Sequence, residues 1–451
     1  MQTVDVIVVG TGSAGKTVAQ AAAQAGRSVV IVDKEPMGGT CSQRGCDPKK
    51  ILVGAAELVA RTHWMTGNGI AAPARIDWPA LMAFKKTFTD PIPERTEAQF
   101  SEQGIQLRHG VATFTGPNRL RVGETEYEAG QIVLATGARP RPLGVPGEPL
   151  LIDSTAFLEL PRLPADLVLV GGGYIACEFA HVAAHAGSRV TILHQGAQLL
   201  DGFDPDLVAL LAGLMAQDGI TIQLNARVVA IDGQAGQLTV RYEQAGTTHA
   251  LDTALAVHAA GREPDVADLA LDRAGVTSGE KGIVVNQFLQ SVSNPAVYAC
   301  GDVADKGLPL TPLASYEGKL VAHNLLNGNS RPYEEQPTPT TVFTIPPLAS
   351  VGLTEAQARA QHRDVRVAWQ ATPDWYSSRR IGEPVSGFKT LVDADTGLVV
   401  GAHRLGFGSE EVINLFALAM RHGITAEALG KTRFAYPTHA SDVASMKTEK
   451  R

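Results

Sequence analysis

An α/β fold, built from two strand–turn–helix–strand units in series and closed by a smaller α+β segment, is what this sequence predicts. Three observations predict it. Asp5-Val6-Ile7-Val8-Val9 is an apolar, β-branched run without alternation, followed at once by Gly10-Thr11-Gly12-Ser13-Ala14-Gly15 and an alanine-rich helical stretch. The same order returns some 160 residues later in Leu167-Val168-Leu169-Val170 and Gly171-Gly172-Gly173-Tyr174-Ile175-Ala176. Past the polar break Asn327-Gly328-Asn329-Ser330-Arg331-Pro332, the pattern changes to separated strands and a helix.

An apolar run without alternation suits a strand buried on both faces of a parallel sheet. The first helix runs to about residue 25, Gly26 ends it, and residues 28–32 form the next strand, closing on Asp33 eighteen residues past Gly15. Strand, G-x-G-x-x-G, helix, strand and acid together fulfil the Rossmann fingerprint. The glycines let backbone approach a pyrophosphate at the helix N-terminus, and Asp33 can accept from ribose hydroxyls. Helix is expected at 51–61 and, interrupted by Pro91 and Pro93, at 80–103. Residues 104–122 read as short strands, 131–137 as a strand ending in Ala135-Thr136-Gly137, and the proline-rich 139–149 as a connection. The second unit offers a strand at 167–170, G-x-G-x-x-A, a helix to about 186 and a strand at 190–193. Two fingerprints imply two dinucleotides, whereas a single-cofactor dehydrogenase needs one. Further strands are expected within 221–258 and at 297–302, and a helix at 315–326. Strands near 388–392 and 397–403 and a helix at 409–422 then make an antiparallel sheet with helices.

The totals narrow the function classes. At 451 residues the chain has length for two to four domains. Hydrophobic residues are 44% and charged residues 19%, an ordinary soluble globular balance. A formal charge of −7 argues against a general nucleic-acid or anionic-membrane surface. Four cysteines in so long a chain are not a secreted disulfide framework. Cys177 and Cys300 lie in apolar helix and strand contexts and read as buried and inert. The chain opens directly into a strand, so no signal peptide is expected. No run reaches the roughly 18 apolar residues of a membrane span. A cytoplasmic protein is the expectation.

Between the fingerprints lies Gly38-Gly39-Thr40-Cys41-Ser42-Gln43-Arg44-Gly45-Cys46-Asp47-Pro48-Lys49-Lys50. This stretch resembles the redox loop of the flavoprotein disulfide reductases (glutathione reductase, dihydrolipoamide dehydrogenase, mercuric reductase and relatives), with Gln43 where many members carry Asn. The resemblance continues over essentially the whole chain. It implies that Cys41 and Cys46 form a redox-active disulfide, Cys46 against a flavin and Cys41 outward to attack substrate. On an ideal helix residues i and i+5 lie about 8 to 9 Å apart at Cα, beyond the roughly 7 Å limit for a disulfide. The first helical turn must therefore be distorted, and Gly45 supplies the backbone freedom. A thiol near a helix N-terminus and cations reacts as thiolate; Arg44, Lys49 and Lys50 are candidates for that field.

The resemblance further implies two Rossmann-like domains, for FAD at 1–149 and 271–330 and for NAD(P) at 150–270, plus an α+β dimerisation domain at 331–451 that builds a homodimer. FAD would meet Gly10, Gly12, Ser13, Ala14, Gly15, Asp33, Lys34, Gly39 and Thr40. Ala112 belongs to the segment reaching its adenine side, Ala135, Thr136 and Gly137 close the flavin-binding half, and Gly261 and Arg262 mark the return from the nicotinamide domain. Gly301 and Asp302 would meet the ribityl chain, and Leu310 and Thr311 the pyrimidine end. The nicotinamide coenzyme would lie on Gly171, Gly173, Tyr174 and Ile175, with Tyr174 covering its pocket. Glu178 would pair with Lys49 or Lys50.

The C-terminus departs from the pattern. Disulfide-specific members end with His-Pro-Thr and a Glu five residues after the His, an acid–base dyad supplied by the partner subunit. Here Tyr436 stands at the His place and Ser441 at the Glu place. A phenol with an unperturbed pKa near 10 is a poor general base at neutral pH, yet it can donate a hydrogen bond to a thiolate. His439 is a second candidate, as a base oriented by Asp442 if this stretch is helical. The expected oxidant is a small disulfide of the glutathione or lipoamide kind. The alternatives are a mercuric or cupric ion, a quinone, or a non-catalytic flavoprotein; a C-terminal cysteine pair would favour mercury, and none is present. For the coenzyme, NADP binders place Arg at the end of the second strand and NAD binders an acid. His194 takes the place of the acid and Gln195 that of the arginine, and no Lys or Arg occurs between Arg189 and Arg227. Without a guanidinium fork a 2′-phosphate is weakly held, so NADH is favoured and NADPH is second.

Overall fold

The computed structural model describes residues 1–361 and 364–446, which divide into two compact units. The first comprises Met1–Lys49, Ala83–Arg141 and Gly261–Glu335. Its sheet runs Gln106–His109, Val29–Asp33, Gln2–Val9 and Thr125–Leu134, all parallel, with Val297–Ala299 parallel beside the last. Arg119–Val122 and Ala112–Gly116 extend it antiparallel. Val6, Val8, Val29 and Ile31 pack on one side with Val18, Phe100 and Leu320; Ile7, Val9, Val30 and Val32 pack on the other with Phe114, Leu120 and Ile132. Both faces are dry, which is why these runs lack polar alternation. Each such side chain contributes about 1.5–3 kcal/mol by burial.

Helix Ser13–Gln24 turns Ala14, Val18, Ala19 and Ala22 inward at helical spacing. Helix Thr311–Asn327 lies so close to it that a Cβ on Gly318 would come 2.7 Å from the Ala14 carbonyl oxygen. That helix starts four residues earlier than the expected 315, because Pro312 suits a first turn whose N–H groups lack intrahelical partners. The 139–149 stretch is also not wholly a connection. Ala138–Pro140 pairs antiparallel with Arg262–Pro264, and Arg139 donates twice to Glu263 Oε1, at 3.0 and 2.8 Å. A two-stranded ribbon has free edges, so the missing N–H of Pro140 is tolerated.

The second unit comprises Lys50–Met82, Pro142–Ala260 and Gln336–Arg451. Four parallel strands run Ile220–Gln223, Arg189–Leu193, Asp166–Val170 and Ala256–His258, accompanied by a three-stranded antiparallel sheet over 227–253. A five-stranded antiparallel sheet follows in the order Thr340–Val342, Leu348–Gly352, Val399–Leu405, Gly387–Asp393, Val365–Ala371. Helix Ser409–Arg421 packs Val412, Ile413, Phe416 and Ala419 on it. Lys389, 2% exposed in the middle of that sheet, pairs with Asp204 at 2.8 Å, Asp206 at 2.5 Å and Glu355 at 3.2 Å. Asp204 also caps helix Pro205–Gln217, so one ammonium ties sheet to helix. Among the described residues no helix is long and apolar enough to cross a membrane.

Candidate active site

In the first unit, missing side chains shape the loop after the first strand. Gly10 has φ +107°, and a Cβ there would lie 2.2 Å from the Ala135 carbonyl oxygen. A Cβ on Gly39 would lie 2.4 Å from Gly12 Cα, so the cysteine loop rests on the fingerprint by backbone contact. In front of Gly12 and Gly137, in contrast, the space is open. Asp33 Oδ2 accepts from Thr11 N at 2.8 Å and Thr11 Oγ1 at 2.5 Å, and Thr11 Oγ1 accepts from Gly38 N at 2.9 Å. Acid, fingerprint and cysteine loop are thereby tied together. Exposed glycine backbone at a helix N-terminus, with an acid at the second strand, fits a dinucleotide such as FAD.

Other expected contacts resolve differently. Lys34 is held at 2.9 Å by both Asp265 and Asp268. The Ala112 side chain is buried in the core, so only its backbone is available. Thr136 Oγ1 donates to the Asp265 carbonyl oxygen at 2.7 Å, and Gly137 O accepts from Asp265 N at 3.0 Å.

The cysteine pair sits where two helices meet. Gly39–Arg44 ends at Gly45 and Cys46–Trp64 begins beside it. The distortion expected at Gly45 is thus a complete break, at φ −142°, ψ −115°. A Cβ there would press to 3.1 Å on the Thr40 carbonyl oxygen. Across this break Thr311 Oγ1 donates to Cys41 Sγ at 3.2 Å and lies 3.7 Å from Cys46 Sγ. Both thiols are free, Cys41 half-buried and Cys46 exposed. The Cys41 thiol, hydrogen-bonded to Cys46, brings Cys46 down to about 6; Thr311 and Lys49 add to this against burial and Asp47. Cys41 moves up, through that same bond and burial. Of the three cations expected to supply the field, Lys49 acts on the Cys46 sulfur, while Arg44 faces Glu35 at 4.0 Å and Lys50 Nζ lies 4.0 Å over the Phe343 ring. Gln43, in place of Asn, donates to the Met37 carbonyl oxygen at 2.9 Å and braces the loop from below.

In the second part of this unit Gly301 and Asp302 follow strand Val297–Ala299, Leu310 and Thr311 begin helix Thr311–Asn327, and a Cβ on Gly301 would lie 3.6 Å from Ala314 Cβ. Burial pushes the Asp302 carboxyl up, with the Arg262 guanidinium opposing. Arg262 itself donates to the Ala138 carbonyl oxygen, beside the φ +103° turn at Gly261. Glu317, 1% exposed and accepting from Gly301 N at 2.7 Å, escaped sequence reading. Its helix position signals no partner; the contact crosses sixteen residues. Cys177 and Cys300 are fully buried, and burial pushes both thiols up, as inert cysteines require.

In the second unit, a Cβ on Gly171 would lie 2.0 Å from the Ala259 carbonyl oxygen, whereas Gly173 faces open space at the N-terminus of helix Tyr174–His185, which carries Ile175. The His194 ring packs on Gly172 and Gly196, each of whose ideal Cβ would meet it at 2.5 Å. His194 Nε2 lies 3.9 Å from Asp201 Oδ2, and Gln195 is exposed. Tyr174 is 39% exposed; its hydroxyl bonds Thr340 Oγ1 at 2.8 Å and its ring meets Phe203 edge-on. Glu178 Oε1 accepts from Phe343 N at 2.8 Å.

At the C-terminus, Tyr436 is 79% exposed. The stretch His439–Ser445 is helical, as the reading of His439 with Asp442 required, but the two do not pair. Asp442 accepts from Ser377 Oγ at 2.5 Å, and His439 Nδ1 faces Arg404 Nη2 at 3.2 Å. Burial, then Arg404, Arg380 and Arg61, push His439 down to about 4. With a guanidinium donating to Nδ1, the neutral ring carries its proton on Nε2 and has no free acceptor. Ser441, at the Glu place, is used in a capping box with Thr438.

Comparison with known proteins agrees with this geometry. Residues 4–318 match the pyridine nucleotide-disulphide oxidoreductase family, and residues 338–446 match the dimerisation domain of that family. A glutathione reductase of Burkholderia cepacia is 33% identical over 447 residues, covering 99% of each chain. A dihydrolipoyl dehydrogenase of Bacillus subtilis (strain 168) is 31% identical over 443 residues, 96% of this chain and 95% of its own. Among solved structures, the HOCl-induced flavoprotein disulfide reductase RclA from Escherichia coli superposes with TM-score 0.87 at 29% identity over 98% of both chains. Its Cu(II) complex superposes with TM-score 0.88 over 99% of both.

Proposed function

Given that the chain belongs to the class I pyridine nucleotide-disulfide oxidoreductases, FAD-dependent enzymes that carry electrons from NAD(P)H to a disulfide, we propose that Cys41 and Cys46 are its redox pair and a small disulfide its oxidant. FAD, when bound, supplies the step that accepts hydride from the nicotinamide and passes the electron pair to the cysteine disulfide. Gly10, Gly12, Ser13, Ala14, Gly15 and Gly39 would hold its pyrophosphate by backbone, Asp33 its ribose, and Asp302 its ribityl chain. The observation that carries the reading is the Thr311 hydroxyl, which reaches both sulfurs across the break at Gly45.

In the reduced pair the negative charge sits on Cys46 at a helix N-terminus and the proton on Cys41. Cys41 then loses its proton and attacks one sulfur of the substrate, forming a mixed disulfide and expelling one thiolate, which takes a proton. Cys46 thiolate attacks the Cys41 sulfur, releases the second thiolate and restores the disulfide. One disulfide and two protons yield two thiols, balanced by oxidation of the pair. Tyr436 of a second copy acts as hydrogen-bond donor to the thiolates, while His439, fully engaged by Arg404, positions the segment. Replacing Cys41 by Ser (Cys41→Ser) should leave flavin reduction by the nicotinamide intact and cut disulfide turnover at least about 10³-fold, as loss of a nucleophile does. Sustained turnover would overturn the assignment.

For the coenzyme we infer NADH. The Asp201 carboxylate beside His194, with no cation nearby in sequence, repels a 2′-phosphate where NADP binders attract it. Gln195→Arg should raise the NADPH/NADH ratio of kcat/KM by about 10-fold or more, the value of one charge-assisted contact; an unchanged ratio would defeat this. A homodimer in the cytoplasm completes the reading. Metal-ion or quinone reduction is the weaker reading, since the relatives are disulfide enzymes.

A further inference from the structure

Glu317 lies in the second turn of helix Thr311–Asn327, and the chemistry above does not use it. Its Oε2 accepts the Gly301 N–H at 2.7 Å. Gly301 has φ +73°, so this peptide turns away from the strand ladder, and the carboxylate gives it an acceptor. On the opposite side a Cβ on Gly307 would lie 3.1 Å from Glu317 Oε1 and 2.8 Å from Tyr333 Oη. The groups facing this carboxyl come from every neighbouring segment: Cys300 from the strand end, Asp302 and Lys306 from the following loop, and Tyr333 from beyond the helix, with Arg262 behind Asp302. A carboxyl buried next to a second carboxylate is destabilising relative to an apolar residue of similar volume. Packing alone does not call for one here.

We propose that Glu317 is a positioning residue for the flavin: holding the Gly301 N–H, it fixes the turn that carries Asp302, and its charge sets how readily the bound flavin is reduced. This rests on the reading that Asp302 meets FAD. Burial pushes Glu317 up to about 7, opposed by the Gly301 N–H and reinforced by Asp302. Above that pH the carboxylate is ionised and disfavours added electrons nearby; below it the group is neutral and the effect is absent.

The test uses the holoenzyme. Glu317→Gln keeps an acceptor for Gly301 and removes the charge. At pH 8 and a fixed NADH/NAD⁺ ratio, its reduced-to-oxidised flavin ratio should exceed that of the wild type severalfold, and at pH 6 the two should agree. Glu317→Ala should release FAD about 10-fold faster on dilution, the size of one lost buried hydrogen bond. Asp302→Ala, measured alongside, separates the two levels: unchanged FAD retention there overturns the turn's role and this proposal with it. If Asp302→Ala loses FAD while Glu317→Gln tracks the wild type at both pH values, the role of Glu317 falls and the turn's stands. Should Glu317→Ala fail to fold, the Gln comparison decides alone.

Discussion

Thr311 is the smallest group on which the proposed thiol chemistry rests. One hydroxyl donates to Cys41 and reaches Cys46, so it is a preorganised partner for whichever sulfur carries charge. Thr311→Val keeps shape and removes only that partner. The hydroxyl holds Cys46 down, so its loss moves the thiolate upward. The pH midpoint for alkylation of Cys46 by iodoacetamide should rise from about 6 by about one pH unit, the worth of a hydrogen bond to a charged group. An unmoved midpoint would leave the Cys41 thiol and Lys49 as the sole agents. The sequence offered Thr311 as an expected flavin contact and not as a partner of the cysteines, because the two segments lie 270 residues apart.

At the scale of an element, helix Tyr174–His185 does two jobs: its N-terminus faces the coenzyme fingerprint and its last turns are buried charge-free. Burial pushes His181 down to about 4; burial, then His181 and His63, push His185 down to about 3. Both lie below the ordinary value of about 6.5. Above pH 6.5 neither state is protonated and nothing changes. As pH falls below it, the unfolded chain takes up protons that the folded helix refuses, so stability falls until the folded values are reached. Each histidine should remove about 2 kcal/mol at pH 5. In urea unfolding, the stability gap between wild type and His185→Gln should therefore narrow by about 2 kcal/mol from pH 7.5 to pH 5; a constant gap would show that His185 titrates normally. Elements of this kind were readable because period and glycine spacing are local. The break at Gly45 was also readable, since helix geometry forbids the i, i+5 pair otherwise. What stayed hidden is long-range charge. Lys389 sits in an apolar strand with carboxylates drawn from positions 204, 206 and 355, and the His439–Arg404 contact spans 35 residues. Neither leaves a periodic trace.

For the whole molecule the decisive matter is where a complete site resides. The chain carries the dimerisation domain of its family, and the segment bearing Tyr436 is exposed and leads into a capping box between Thr438 and Ser441. Nothing in that capping box needs the phenol, which leaves it free to serve another surface. If it serves a second copy, no single chain holds both the cysteine pair and its donor. Mixed dimers test this directly. Cys41→Ser chains lack the nucleophile, and Tyr436→Phe chains lack the donor. In a two-fold hybrid, service between subunits brings the intact cysteines of one chain to the intact tyrosine of the other. Random reassociation makes half of all dimers hybrid, each with one complete site in two, so about a quarter of wild-type disulfide turnover should return. Service within one chain instead leaves every site lacking one group, and turnover stays at the average of the two parents. Recovery toward a quarter, appearing only after subunit exchange, would establish that the oxidant is reduced at a site built by two copies; activity fixed at the parental average would overturn service by Tyr436 between subunits.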